Sequence, residues 1–335
     1  MIEYSPRLII PTANHESSRP HPLRGYFFIG SAAFLWGVSA ALGRAVFTGM
    51  LRLGGAVLRP IDPLILSQSR ATFSLLILFA LLMGSGGWQR IKLPARDLAY
   101  CCLLGTLGVA VSNYFYYVAI QRTNVAIAII VQYTAPVWVL LYVVARGQQK
   151  LSWQKVTAVA LAVIGIALVI NLFGHASSLR LDVYGLAAAL LASFSFAFYN
   201  LAGHRILARY DRWRVLTWTL AAASAFWLIV NPPWKIVAAH YAPMQWLFLF
   251  VFSMLSVLGA FSLYFLGLQH LEPTRAIIAS CLEPVFSILL AALLLGELLR
   301  PIQTIGIIFV LAAIVIVQRP GRSDTGESVM VEPIE

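Results

Sequence analysis

Long apolar stretches joined by short connections dominate this chain and set what it can fold into. They fall at residues 26–47, 62–84, 97–119, 123–145, 153–171, 183–203, 213–231, 245–268, 273–295 and 301–318. Each is about 18–24 residues long, enough as a helix to cross a hydrocarbon core of about 30 Å. A helix satisfies its own backbone hydrogen bonds, which lipid requires. The expected fold is therefore an all-α integral membrane protein with ten transmembrane helices. Composition agrees: 60% of the 335 residues are hydrophobic and 11% charged, against about 45–50% and 25% in soluble domains. The first 25 residues are polar and hold Pro6, Pro11, Pro20 and Pro22. The first apolar run is too long for a cleaved signal core and reads as a retained helix.

The net charge of +11 reads as a topology signal. With the N-terminus inside, sixteen Lys and Arg residues fall in cytoplasmic segments and seven on the other side. Arg70 lies within a span. This bias places both termini in the cytoplasm. Arg44, Arg52 and Arg59 put three cations on the outer side, in the segment 44–62. No basic patch with interleaved aromatics stands outside the apolar runs, so nucleic acid is not an expected partner.

The chain repeats itself at an offset of 148 residues. Ala128-Ile129-Ile130, five residues, then Pro136-Val137 recurs as Ala276-Ile277-Ile278, five residues, then Pro284-Val285. Tyr116 matches Tyr264, Gln121 matches Gln269 and Leu151 matches Leu299. Each half then has five spans. An odd number makes the second half enter the membrane from the opposite side, giving the inverted repeat of many secondary transporters. The expected organisation is a cytoplasmic tail (1–25), a first five-helix repeat (26–171), a linker (172–182), a second repeat (183–318) and a cytoplasmic tail (319–335).

The first span reads FLWGVSAALGR from Phe34 to Arg44. The ninth and tenth read LEPVFSILLAALLLGELLRPIQTIGIIFVLAAIVIV from Leu282 to Val317. These segments resemble the EamA family of the drug/metabolite transporter superfamily, and the resemblance covers roughly residues 30–318. It implies a ten-helix carrier of two five-helix repeats that exports amino acids or other metabolites from an inner or plasma membrane. The chain departs from the pattern in three places. Gln149 stands where the second half has Glu297, Phe196 stands near the place of Trp36, and segment 44–62 is long and rich in Gly and Arg.

Charge buried in lipid is costly, so intramembrane ionisable residues are functional candidates. Glu283 lies ten residues into the ninth span, about 15 Å deep. It reads as a site for a substrate amine or a proton, or as a structural hydrogen-bond partner beside Pro284. Arg70 could bind a substrate carboxylate, pair with an acid or snorkel outward. Pro136 and Pro284 break the helical ladder at equivalent places, marking either a binding region or packing kinks. Trp36, Ser39, Asn113, Tyr117, Gln132, Tyr133, Tyr199, Asn200 and Tyr264 are candidate cavity residues, with interhelical bonding as the alternative. Glu297 and Arg300 read as a cap or loop pair.

Cys101, Cys102 and Cys281 sit in apolar runs, and the six histidines lie in tails, loops or span ends. Neither a metal-ligand spacing nor a phosphate loop is present, so no metal or cofactor and no ATP-driven pump is expected. The expected function is secondary active transport of small metabolites, an export of amino acids or related compounds, by alternating access. An uncoupled facilitator, a channel and a membrane enzyme are the rivals. The expected partners are a small-molecule substrate, the lipid bilayer and, for coupling, protons. Monomer and homodimer both stay open.

Overall fold

A computed structural model describes residues 21–47, 52–53, 56–57, 60–122, 125–170, 172, 182–295 and 300–318. Residues 1–20 and 319–335 of the tails, most of the linker, most of segment 48–59, and Glu297 lie outside the described residues. Fifteen helices follow one another: α1 (Pro22–Phe47), α2 (Pro63–Gly86), α3 (Ala95–Leu103), α4 (Val111–Arg122), α5 (Val125–Gln132), α6 (Ala135–Ala145), α7 (Trp153–Val169) and α8 (Val183–Leu207). Then come α9 (Arg212–Val230), α10 (Pro233–Ala238), α11 (Pro243–Ser253), α12 (Ala260–Leu268), α13 (Pro273–Ser280), α14 (Leu282–Leu295) and α15 (Pro301–Gln318). Arg52–Leu53 and Ala56–Val57 form a two-residue antiparallel bridge between α1 and α2.

Among the described residues, nine helical stretches are long and apolar enough to cross a membrane, and the apolar α7 is shorter. With α7 they make ten spans, and the protein is a multi-pass membrane protein. The first helix begins at Pro22, before the apolar run at 26. Proline suits a first helical turn, where its missing N–H costs nothing. The sixth span runs on to Leu207. The short α10 was not anticipated from hydropathy.

Capping explains where several spans begin. The Asp62 carboxylate accepts from Leu64 N at 2.8 Å and Ile65 N at 3.1 Å, with Pro63 next to it. Asp182 caps α8 and Asp211 caps α9 in the same way, and Ser152 caps α7. Each satisfies N–H groups that the first turn leaves free.

The two halves share their irregularities. In each, the third span contains a wide π-type turn, Leu104–Ala110 in the first half and Met254–Gly259 in the second. In each, the fourth span breaks. The first break falls at Tyr133–Thr134 between α5 and α6, the second at Cys281 between α13 and α14. The offset of 148 carries Tyr133 onto Cys281 and Pro136 onto Pro284. Proline has no N–H for the carbonyl four residues back, so Gln132 and Ser280 lose that bond. Shorter bonds replace it: Thr134 N to Val131 O at 3.1 Å and Cys281 N to Ile278 O at 3.1 Å.

The halves interlock. Helix α4 packs on α8, and its counterpart α12 packs on α1. Helix α2 lies against α9, and α7 against α15. The wide turns serve this exchange. Trp36 donates from Nε1 to Ser256 O at 3.1 Å, and Ser195 donates from its hydroxyl to Leu107 O. Each span that opens each half thus bonds a carbonyl in the other half's wide turn. The α7–α15 crossing brings two backbones close together. A Cβ on Gly306 would lie 2.6 Å from Gly165 O, and one on Gly165 would lie 2.9 Å from Gly306 O. In lipid, such close backbone packing supplies the association that the hydrophobic effect does not.

Candidate functional site

Glu283 is the second residue of α14, at the edge of the break. A helix N-terminus there offers free N–H groups and the positive end of the peptide dipole, both suited to a carboxylate. Tyr133, at the first half's break, lies within electrostatic reach of Glu283 and shares a buried cluster with Cys281 at the second break. The broken spans of the two halves therefore pack into one buried cluster.

Arg70 comes from α2 and lies within electrostatic reach of Glu283. It is half-buried, lies within electrostatic reach of Tyr117 and sits over the Phe252 ring, 5.5 Å from its centroid. Its Nε is enclosed and has no partner among the described residues. Ser67, one turn earlier on α2, donates to the Tyr117 hydroxyl at 3.0 Å. Tyr116 on α4 also lies within electrostatic reach of Glu283. A carboxylate, a guanidinium, a serine and three phenols thus converge from α2, α4, the α5–α6 break and α14. Such a set can hold a molecule bearing both charges, the guanidinium taking an anion and the carboxylate a cation.

Four other residues singled out in the sequence form a different cluster. Trp36 packs on Tyr264 and Phe261, with centroids 5.2 Å and 5.3 Å apart. Tyr199 stacks on Tyr264 and on Phe265. Asn200 donates from Nδ2 to the Tyr264 hydroxyl at 2.5 Å. Tyr199, Asn200 and Tyr264 are buried, at 1%, 0% and 0% exposure. The stacked rings and the Asn200–Tyr264 bond tie these spans together, while the Tyr199 hydroxyl and the Asn200 Oδ1 have no hydrogen-bond partner among the described residues.

The remaining candidates are more local. Ser39 donates to Leu35 O at 2.7 Å and Asn113 to Val109 O at 2.8 Å, each within its own span. Gln132 ends α5 and is half-buried. Pro136 and Pro284 are buried just past their breaks. Around the first break, the Thr134 hydroxyl lies 3.0 Å from that of Ser193, to which Trp138 donates from Nε1 at 3.0 Å. This ties the break to α8.

Two sets of contacts join the halves at one end of the bundle. Gln149 donates to Glu272 at 3.1 Å and accepts from Thr274 at 3.3 Å. Tyr210 donates to Asp97 at 2.6 Å, and this bond raises the Tyr210 pKa above the ordinary tyrosine value. No three His, Cys, Asp or Glu side chains among the described residues could jointly hold a metal ion. An apolar groove of about 420 Å³, lined by residues including Phe27, Phe34 and Phe286, includes neither Arg70 nor Glu283 and carries no charge.

Ser67 and Gln149's partners were not found in the sequence. Ser67 had one signal, its i, i+3 spacing from Arg70, which puts both on one helix face.

The profile of the EamA-like transporter family matches residues 23–171 and 183–319. The chain is 26% identical over 304 residues to a protein named "Uncharacterized inner membrane transporter YicL" from Salmonella typhimurium, covering 89% of this chain and 96% of that one. It is 30% identical over 205 residues to "Threonine/homoserine exporter RhtA" of Escherichia coli, covering 60% of this chain and 65% of that one. A crystal structure of a protein superimposes with a TM-score of 0.69 at 19% identity, covering 88% of this chain and 97% of the other. That likeness bears on the fold alone.

Proposed function

Because the chain belongs to the EamA-like transporter family, we propose that it exports amino acids or related zwitterionic metabolites by alternating access between its two inverted repeats. The observation that carries this reading is that Arg70 and Glu283, opposite charges from different halves, lie within electrostatic reach of one another among a set of phenols. Arg70 takes the substrate carboxylate, through a guanidinium whose Nε is otherwise unpartnered. Glu283 takes the ammonium. Tyr116, Tyr117 and Ser67 line the site. Pro136 and Pro284 keep the two broken spans deformable around it. The threonine/homoserine exporters among the relatives support an amino-acid substrate.

The membrane is a bacterial-type inner membrane, in keeping with the relative named an inner membrane transporter. Both termini are cytoplasmic, as the distribution of Lys and Arg supports. The repeats span 26–171 and 183–318, between tails 1–25 and 319–335, with 172–182 as linker. A proton on Glu283 couples the cycle.

Counterflow in proteoliposomes tests the reading. Vesicles preloaded with one amino acid should transiently accumulate the labelled compound from outside. No accumulation across a panel of amino acids, from protein that is monodisperse, overturns it. Accumulation driven equally with and without a pH gradient would replace the coupled exporter by a facilitator.

A further inference from the structure

The apolar groove on α1 has the length and the flanking charge of a lipid site. Phe27, Gly30, Ser31 and Phe34 form its wall on α1, with Leu263 of α12 and Phe286 of α14 opposite. Phe27 is 69% exposed and Phe34 43%, on a helix long and apolar enough to span, so this stripe faces out of the bundle. Gly30 leaves a notch in it: a Cβ there would meet only Leu282 Cδ1, at 4.0 Å. Phe34 and Phe286 meet edge to face at 5.4 Å and close the deep end. Arg24 continues the stripe toward the chain's start, because residues 24, 27, 31 and 34 follow one another at spacings of three, four and three. From Arg24 to Phe34 the helix rises about 15 Å. That is half of a hydrocarbon core of about 30 Å, the depth of one leaflet.

Basic groups gather at the mouth of the groove. His21 and Arg24 are exposed. His270, in the turn between α12 and α13, stacks on Phe28 with centroids 6.0 Å apart. Its Cβ lies 3.0 Å from where a Cβ on Gly25 would stand, so the turn packs against the start of α1. Burial pushes the His270 pKa below the ordinary histidine value, and His21 and Arg24 push it the same way. The acid of that turn, Glu272, is engaged by Arg275 at 3.7 Å and by Gln149 at 3.1 Å.

We propose that the groove holds one chain of an anionic phospholipid, with its phosphate at Arg24, His21 and His270 and its acyl chain laid over Gly30 and Ser31 down to Phe34 and Phe286. The apolar wall accepts the chain of any lipid, and the basic mouth selects the headgroup. Because α1 belongs to the first half and α12 and α14 to the second, the bound lipid braces a contact between the repeats.

Native mass spectrometry of the purified full chain tests this, with phosphatidylglycerol and phosphatidylcholine of identical chains as probes. Phosphatidylglycerol should bind at least about fivefold more tightly, the worth of one basic residue facing an anionic headgroup. Arg24→Gln should remove most of that preference and leave phosphatidylcholine binding where it was. Gly30→Leu fills the notch and should weaken both lipids together by about tenfold, the worth of roughly two buried methylenes. Equal affinity of the unaltered chain for the two lipids overturns the proposal, and so does full affinity in Gly30→Leu. Inorganic phosphate that displaces phosphatidylglycerol at equal concentration makes the mouth a site for a soluble anion and overturns the lipid. A dimer that Gly30→Leu splits makes the groove an interface between copies of the chain, with the same consequence. Should Gly30→Leu not fold, Ser31→Leu fills the groove from the neighbouring position and is read in the same way.

Discussion

The two fourth spans share a proline, an approach sequence and a break, yet they are finished differently. The first half follows its break with Thr134-Ala135-Pro136, the second with Leu282-Glu283-Pro284. The hydroxyl in the first half is spent on Ser193 of α8. The carboxylate in the second lies within electrostatic reach of Tyr133 and Arg70. The same contrast extends outward. The offset of 148 carries Ser67, Arg70 and Tyr117 onto Val215, Trp218 and Phe265. Where one half has a hydroxyl, a guanidinium and a phenol, the other has an aliphatic and two aromatic side chains. Val215 and Phe265 are fully buried. The scaffold is nearly symmetric and its chemistry is not. A duplicated fold can thus keep one polar site and fill its twin with packed rings.

The sharpest way to break this comparison is to remove one charge from the polar side. Glu283→Ala or Arg70→Ala should lower counterflow about a hundredfold or more, the order of effect seen when one partner of an enclosed pair is deleted. Equal loss from Trp218→Leu would mean the twin position matters as much, and the asymmetry would carry no functional weight. Glu283→Gln separates the two roles of the carboxylate: if protons couple the cycle, exchange persists while pH-gradient drive disappears. Next in size, Tyr117→Phe removes the acceptor of the Ser67 hydroxyl, beside Arg70. An increase in KM of about tenfold is expected, read from the concentration dependence of counterflow. The smallest effect belongs to the packed twin. Tyr264→Phe leaves Asn200 without its partner and should cost about 1–3 kcal/mol of stability. A thermal shift in detergent should report that loss, while KM stays near wild type. A change in KM there would bring the aromatic cluster back into the binding site.

The architecture was legible in the chain because lipid imposes long uniform helices, and because the duplicated Pro136 and Pro284 marked the breaks. The pairing of spans was not. Spans apolar on all sides have no single stripe that names a partner, so the exchange of α4 onto α8 and α12 onto α1 left no periodic trace. The site was partly legible for a related reason. Glu283 and Arg70 stood out because charge in lipid demands an explanation. Trp36, Tyr199, Asn200 and Tyr264 gave a similar signal, yet the structure brings them to one another. A polar group inside a membrane protein is satisfied as well by a neighbouring helix as by a ligand, and sequence spacing does not tell the two apart. Ser67 passed unnoticed because a single serine in a span is unremarkable until its neighbour on the next helix is known.

The glycine crossing of α7 and α15 has a use beyond holding the halves together. With each backbone so close to the other, the pair has little room to slide or tilt while the broken spans change. Spectroscopic labels placed on α7 and α15 would keep a constant separation through the cycle. That separation is a built-in ruler against which the displacement of every other span can be measured.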